Sequence, residues 1–216
     1  MSDGLHAERL RVERDARLLL DVAALDVAPG ACTVLTGDGD SGKTLLASAL
    51  CGAVPARGEV RVGGRVAAGP PSHRLRARLA AVPNTPLRLR GVSVSEALAL
   101  AAAHSRGERR VSDTFDFFPL LAARRGLRAE RLSGGEHQAL RIACAWAAMP
   151  RALVLDSPTT GLAASVVDAV LALARDEARR GAAVLWLDQP GAPLPAAASL
   201  HIAGGRVSES AGRRTG

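Results

Sequence analysis

Aromatic side chains are almost missing from this 216-residue chain, which contains three Phe, two Trp and no Tyr. A function that depends on rows of stacking aromatic rings is therefore disfavoured, and the core has to be built from Ala, Val and Leu. Hydrophobic residues still make up 48% of the sequence. A chain of this length and composition suits one α/β domain with a sizeable buried core.

Cysteine is also scarce, with three residues at positions 32, 51 and 144 and no CxxC spacing. No secretory signal precedes the first strand pattern, so we expect these thiols to be small core residues of a cytosolic protein. The five histidines are scattered singly, which disfavours a zinc-type metal site. No apolar run reaches the roughly 18 residues of a membrane-spanning helix, so we expect the chain not to span a membrane by itself.

Lysine is the scarcest basic residue, because Lys43 is the single lysine among 28 Lys and Arg residues. The arginines are spread along the chain in short groups mixed with alanine and acidic residues. The net charge of +7 is therefore interpreted as a solvated surface, and no nucleic acid partner is expected. In a narrow loop, the compact and flexible ammonium group of a lysine suits a phosphate better than the wide guanidinium of an arginine. The surroundings of Lys43 are therefore a candidate phosphate site.

Three apolar segments predict strands that are buried on both faces, CTVLT at 32–36, ALVLD at 152–156 and AVLWLD at 183–188. Nearly continuous apolar runs of this kind are typical of parallel sheets. Each run ends in Thr or Asp, at the sheet edge where ligands of such folds bind. A looser alternation over 10–27 and a strand, Gly-Gly turn, strand pattern at 59–66 predict a separate antiparallel layer.

Helical patterns fill most of the remaining sequence. Helices are predicted over 43–53, 94–103, 113–123, 136–149 and 163–180. The stretch of about 84–132 has helices but no strong strand pattern, which predicts a helical subdomain within a single domain over 1–216. The last residues, about 209–216, form a Gly/Ser/Arg tail that we expect to be disordered.

The segment GDGDSGKT fits the phosphate-binding pattern G-x-x-x-x-G-K-[ST] and lies between a predicted strand and a predicted helix. Its glycines would let backbone N–H groups surround phosphate oxygens, and the helix N-terminus adds a favourable dipole. An ordinary glycine-rich turn is the alternative, but the single lysine and the strand context favour phosphate binding. The predicted nucleotide-binding residues are Gly37, Asp38, Gly39, Asp40, Ser41, Gly42, Lys43 and Thr44.

The segment LSGGEHQ carries a helix start, with Ser133 as N-cap and Glu136 three residues later as the second half of a capping box. Two glycines just inside a helix are a poor choice for stability alone. They are explained if another group has to approach this backbone closely.

The P-loop, the LSGGE segment and the apolar strand RALVLD that follows them together resemble ABC-type ATPases over nearly the whole chain. The resemblance implies an α/β P-loop NTPase fold with a mostly parallel core sheet, an antiparallel β layer and a helical subdomain. The segments FDFFPLLAARRG, ALCG, PTTGLAAS and the DQ pair at 188–189 are similar to the ATP-binding subunits of branched-chain amino acid importers.

The same resemblance implies ligands and partners. ATP and Mg²⁺ would be the cofactors, and a second ABC ATPase subunit, in a hetero- or homodimer, and transmembrane permease subunits would be the partners. The protein would lie in the cytoplasm, peripherally on the inner face of the cell membrane. The site of this family is composite, because the P-loop of one subunit closes over ATP against the signature of the other.

The family roles transfer to individual positions of this sequence. Signature residues that would contact ATP held by the partner are Ser133, Gly134, Gly135 and Glu136. Residues that would contact magnesium are Thr44, Asp156 and Asn84. Gln189 takes the H-loop position, and Ser157 takes the position of the catalytic glutamate.

Four departures from the family pattern lie on the P-loop side. Ser157 is far too weak a base to polarise water, and general-base help is worth about 10² to 10⁴ in rate. Asp40 replaces a P-loop glycine, and at about 4 Å from a phosphate charge its repulsion is about 1 kcal/mol in water and about 4 kcal/mol near a protein surface. Asn84 replaces a longer Gln or Glu, and RVERDAR at 11–17 lacks the aromatic that stacks on adenine.

These departures predict a transporter ATP-binding subunit with an impaired site of its own, working with a partner ATPase. Branched-chain amino acids or similar small polar solutes are the expected cargo. The alternative is a non-catalytic ABC-like nucleotide-binding scaffold or regulator.

Overall fold

The computed structural model describes residues 3–85, 89–105, 109–191 and 196–209. The strands are β1 Leu5–Arg14, β2 Arg17–Val27, β3 Cys32–Thr36, β4 Arg57–Val62, β5 Arg65–Val66, β6 Leu79–Val82, β7 Ala152–Asp156, β8 Ala183–Asp188, β9 Ala198–Ala203 and β10 Arg206–Glu209. The helices are α1 Lys43–Leu50, α2 Pro71–Arg76, α3 Val94–Ala102, α4 Val111–Phe117, α5 Pro119–Ala122, α6 Gly134–Ala147 and α7 Ala164–Arg179.

The larger sheet has six strands in the order β10-β9-β3-β8-β7-β6, and all neighbouring pairs are parallel except β9 with β10. The three strands predicted as doubly buried are confirmed with their predicted bounds. The registers set Thr36 opposite Asp188 and Asp156 opposite Leu187. The polar ends of these strands therefore meet at the carboxyl edge of one sheet.

Alternate side chains of the parallel strands enter two different cores. Val34 and Trp186 belong to a cluster with α6 and α7. Leu35 and Leu187 belong to a second cluster with α1 and the smaller sheet. Both faces of these strands are covered, so the side chains of both alternating sets are buried and apolar. This produces the continuous apolar runs of the sequence.

The smaller sheet is antiparallel, with four strands in the order β2-β1-β4-β5. It confirms the predicted antiparallel layer. The hairpin predicted at 59–66 is present, and its turn residues Gly63 and Gly64 have φ values of 56° and 75°. Two consecutive left-handed residues match the twist of a tight hairpin and favour glycine.

One predicted helix is wrong, because the segment 113–123 forms two helices, α4 and α5. Pro119 has no N–H to continue the ladder of α4, and it restricts the residue before it. Phe118 accordingly leaves the helical region, with φ −122° and ψ 76°. Its side chain is fully buried, so the break also sends an aromatic ring into the core.

The described residues between β6 and β7 contain helices, two 3₁₀ turns and one isolated β-bridge. A buried ion pair joins this region to α7, because Arg109 Nη2 lies 2.9 Å from Glu177 Oε1. The Arg109 guanidinium also lies 3.6 Å from the ring centroid of Trp146. Burial raises the pKa of Glu177 more than the charge of Arg109 lowers it.

Strand β10 extends to Glu209, and the remaining residues of the predicted tail lie outside the described residues. Within the described ranges, no helix combines the length and apolar character that a bilayer crossing requires.

Candidate functional site

The loop between β3 and α1 concentrates backbone N–H donors. Helix α1 starts at Lys43 with Gly42 as a left-handed N-cap, and the first amides of a helix have no partner within the helix. Within the described part of the chain, no acceptor engages the N–H groups of Gly39, Asp40, Gly42, Lys43 or Thr44. Such a cluster of free amides at a helix N-terminus can hold anionic oxygens.

Two glycines of this loop are required by close packing. A Cβ at Gly37 would lie 2.4 Å from the Ile202 carbonyl oxygen and 2.5 Å from Ser41 Oγ. Gly42 has φ 105°, and a Cβ there would lie 3.3 Å from Gly205 Cα. A Cβ at Gly39 would meet nothing within 4 Å, so open space remains above the loop.

Lys43 is buried within the loop, with 5% of its surface exposed. Its Nζ donates to the carbonyl oxygens of Gly37 and Asp38 at 2.6 Å each, and lies 3.2 Å from Ser41 Oγ. The ammonium group has to exchange these acceptors to reach a phosphate. The carboxylates of Asp38 and Asp40 are exposed, and neither forms a hydrogen bond or ion pair with the described residues.

Asp156, the carboxylate predicted to contact magnesium, is fully buried at the end of β7. Its Oδ2 accepts from the backbone N–H of Asn84 at 2.9 Å, and its Oδ1 lies 3.4 Å from Ser157 Oγ. Asn84 thus contacts Asp156 through its backbone N–H, and its side chain is exposed. Its contact with magnesium stays a prediction. Ser157 has φ 47°, and its N–H donates to the Leu187 carbonyl at 2.8 Å, which fixes its position beside Asp156.

These residues fit a magnesium ion that is shared with a nucleotide. Mg²⁺ takes one or two protein oxygens and fills its octahedral shell with water and phosphate oxygens. Asp156 and Thr44 can supply a carboxylate and a hydroxyl oxygen. The described residues contain no cluster of three or more His, Cys, Asp or Glu side chains, so a tightly held ion would need the phosphate oxygens of its ligand.

The end of β8 is tied to the P-loop. Asp188 accepts from Trp186 Nε1 at 3.0 Å and from the Gln189 N–H at 2.8 Å, and its carbonyl accepts from the Gly37 N–H at 3.3 Å. The side chain of Gln189 is exposed. Gln189 therefore follows a well-fixed aspartate at the same edge of the sheet as Asp156.

The signature residues form the N-terminus of α6. The predicted capping box is present, since Ser133 Oγ accepts from the Glu136 N–H at 3.3 Å and Glu136 Oε2 accepts from the Ser133 N–H at 2.9 Å. The Ser133 amide, followed by the Arg124 guanidinium, holds the pKa of Glu136 below its ordinary value. The amides of Gly134 and Gly135 have no acceptor among the described residues.

The glycine pair has two different explanations. A Cβ at Gly135 would lie 2.8 Å from the Gly161 carbonyl oxygen, so the close approach is made by this chain itself. A Cβ at Gly134 would meet nothing within 4 Å. Among the described residues, no hydrogen bond or ion pair joins the signature segment 133–136 to the P-loop segment 37–44.

Two residues of α6 that sequence reasoning missed hold the loop after β6. His137 Nε2 accepts from the Leu89 N–H at 2.9 Å. Arg141, one turn later, donates to the carbonyls of Pro83 at 2.5 Å and Thr85 at 3.1 Å. Burial lowers the pKa of Arg141, while the charge of Asp156 acts in the opposite direction. The only signal in the sequence is that His137 and Arg141 are polar residues four positions apart, and Arg141 lies within the apolar part of the helix.

Comparison with known proteins gives a consistent family. A profile for ABC transporters matches residues 20–160. The high-affinity branched-chain amino acid transport ATP-binding protein BraG of Pseudomonas aeruginosa is 30% identical over 171 residues, with 77% of this chain and 73% of that protein covered. The hemin import ATP-binding protein HmuV of Pseudomonas entomophila is 33% identical over 192 residues, with 84% and 75% covered.

A solved structure of the ATP-binding subunit of an ABC transporter has a similar fold. Its TM-score is 0.81 at 23% identity, and the match covers 95% of this chain and 89% of that chain.

Proposed function

The chain belongs to the ABC transporter family, as an ATP-binding protein, and from this premise we propose that it serves an importer of branched-chain amino acids or similar small polar solutes. The likeness to BraG supports this cargo class. The likeness to HmuV, whose name refers to hemin, supports importers more widely. The ATP-binding subunit does not itself select the cargo, since permease and binding-protein surfaces make those contacts.

The site of this chain would hold nucleotide through the P-loop side. The free amides of Gly42 and Thr44 would bind phosphate oxygens, and Lys43 would move from the loop carbonyls to the terminal phosphates. Thr44 and Asp156 would hold Mg²⁺, and Asn84 would help to orient Asp156 through its backbone. Bound Mg²⁺ supplies positive charge that offsets charge on the phosphate oxygens.

We infer that hydrolysis in this site is impaired, and the position of Ser157 is the observation that carries this inference. The Ser157 hydroxyl lies beside Asp156 at 3.4 Å, where a short neutral group cannot take a proton from water at neutral pH. Asp40 adds a negative charge to the loop that would hold the phosphates. The aromatic residue expected to stack on adenine is also missing from β1 and β2.

The signature residues at the start of α6 support a function together with a partner ATPase. Ser133 and Gly134 are exposed at the start of α6, and the Gly134 amide is free of acceptors among the described residues. An intact signature beside an impaired P-loop side suits a heterodimer, in which this chain completes a competent site on a different ATPase, whereas a homodimer would contain two impaired sites. Permease subunits would then hold the pair on the cytoplasmic face of the membrane.

An ATPase assay tests the impaired site. The purified chain should release little or no phosphate from MgATP, and Ser157→Glu should raise the rate by about 10² or more, because it restores a general base. The double variant Lys43→Ala/Ser157→Glu is the control and should stay inactive. Robust turnover by the unmodified chain, abolished by Lys43→Ala, would refute the proposal.

A non-catalytic scaffold or regulator is the second candidate, and Asp40 and Ser157 favour it. It predicts that Ser157→Glu recovers no activity, even when the variant binds nucleotide. It also predicts that the chain does not co-purify with permease subunits. Co-purification with permeases together with recovery by Ser157→Glu would reject it.

A further inference from the structure

The amino edge of the parallel sheet, opposite the P-loop, carries a second concave region. Two adjoining cavities of about 460 Å³ and about 610 Å³ lie there and share Arg78 and Arg151 in their walls. Arg78 precedes β6, and Arg151 precedes β7. The larger cavity is therefore separated from the candidate ATP site by the full length of the strands.

The larger cavity is strongly positive. Four arginines from three segments line it, Arg65, Arg76 with Arg78, and Arg151, together with His104. Among the described residues that line it, none is acidic. The smaller cavity is more balanced, since Asp3 and Glu177 also line it.

Three of these arginines are unpaired within the described structure. The side chains of Arg65, Arg76 and Arg151 are exposed, and they form neither ion pairs nor hydrogen bonds with the described residues. Exposed arginines elsewhere differ in this respect, since Arg11 pairs with Asp21 at 2.7 Å whereas Arg17 and Arg131 have no carboxylate partner among the described residues. What distinguishes Arg65, Arg76 and Arg151 is that they line one cavity. Like charges that converge without counter-charges repel each other, and a multivalent anion would remove this repulsion.

Arg78 holds the shared wall in a fixed geometry. Its Nε and Nη2 donate to the Met149 carbonyl at 3.1 and 2.6 Å, and its own carbonyl accepts from the N–H groups of Arg151 and Ala152. Arg78 and Met149 have φ values of 65° and 49°, a left-handed conformation that is costly for such residues. Strained backbone that is held firmly in place is often found where a ligand binds.

We propose that the larger cavity binds a phosphorylated small molecule with at least two phosphate groups. Guanidinium groups bind phosphate through paired, charge-assisted hydrogen bonds, and convergent arginines suit clustered phosphates. The volume lies within the roughly 300–1,000 Å³ of small-molecule sites. A concave pocket enclosed by four segments favours a compact ligand over nucleic acid, which needs an extended basic surface.

Titration with inorganic pyrophosphate tests the site in the full chain. Lys43→Ala serves as the background, because it removes the ammonium group with which the P-loop could hold the probe. In this background Arg76→Gln and Arg151→Gln should each weaken pyrophosphate binding about fivefold, and the double variant about twentyfold or more, since each removes one charge-assisted contact. Arg17→Gln, at an exposed arginine of β2 outside the cavity, is the matched control and should leave the affinity unchanged.

Three results would overturn the proposal. One is loss of all pyrophosphate binding on Lys43→Ala, which would place the probe in the P-loop. Another is an equal loss in Arg17→Gln, which would reduce the effect to net charge. The third is binding of double-stranded DNA or polyglutamate without any binding of pyrophosphate. Thermal melting of each variant establishes that the variant is folded.

Discussion

The two edges of the parallel sheet present opposite backbone groups, N–H donors at one edge and carbonyl acceptors at the other. The cationic side chains at the two edges also differ. At the carboxyl edge, the start of α1 presents free N–H groups, and Lys43 lies among the loop carbonyls. At the amino edge, the end of α6 presents carbonyls, which arginines cover. Arg109 donates to Trp146 O at 2.6 Å, and Arg78 donates to Met149 O at the same distance.

This difference follows from the crossover connections of parallel strands. Each connecting helix starts near the carboxyl edge and ends near the amino edge, so unpaired donors collect at one edge and unpaired acceptors at the other. Anions suit the first and cations suit the second. Some of the arginines therefore donate to carbonyls at helix C-termini. The exposed side chains of Arg65, Arg76 and Arg151 in the larger cavity have no such acceptor among the described residues.

The largest expected effect is at the amino edge, where Arg109→Met removes the partner of Glu177. Glu177, whose side chain is 2% exposed, would lose its close partner and keep only the partly exposed Arg180 at 3.9 Å. Loss of one partner of a buried ion pair costs about 3–5 kcal/mol. Urea denaturation should therefore give a free energy of unfolding that is lower by about this amount.

Two matched variants sharpen that result. Arg109→Met/Glu177→Leu removes both charges and should recover most of the lost stability, because an apolar pair has no uncompensated charge. Arg125→Met changes an exposed arginine and should leave the unfolding midpoint in place. Equal losses in Arg109→Met and in the double variant would contradict the importance of the charge.

A smaller effect is expected at the carboxyl edge for Gly37→Ala. The new Cβ would lie 2.4 Å from the backbone oxygen of Ile202, so the loop has to move away from β9. Overpacking of this kind costs about 1–3 kcal/mol, to be measured by thermal or urea unfolding. Gly39→Ala is the matched control, because its Cβ meets no atom within 4 Å. Similar losses in both variants would show that the contact with Ile202 is not the cause.

The parts of the fold that could be predicted are those where burial controls the sequence locally. Strands 32–36, 152–156 and 183–188 are apolar throughout because cores lie on both faces. Strand β6 has four residues and ends before a proline, and only one of the six residues of β9 is buried, so neither strand produces a clear apolar pattern. Sheet edges of this kind are fixed by pairing with remote strands, which periodicity does not record.

The candidate site also contains parts that could be predicted from the sequence and parts that could not. The P-loop and the capping box are contiguous segments, so their chemistry could be predicted from spacing. Arg141 and His137 contact backbone groups 48 to 58 residues away in the chain, and no local pattern indicates such partners. The close approach at Gly135 is equally non-local, because its neighbour is the Gly161 carbonyl of the same chain.

The smallest expected effect concerns Arg141→Leu, which tests whether α6 holds the carboxyl edge in place. The variant loses two hydrogen bonds to the carbonyls of Pro83 and Thr85, and the local free energy of opening should fall by about 1 kcal/mol. Hydrogen exchange at the amides of Asn84 and Thr85 should then be about fivefold faster. Arg131→Leu, at an exposed arginine, is the control and should leave these rates unchanged. Unchanged exchange in Arg141→Leu would mean that the bond from Asn84 to Asp156 holds this loop without help from α6.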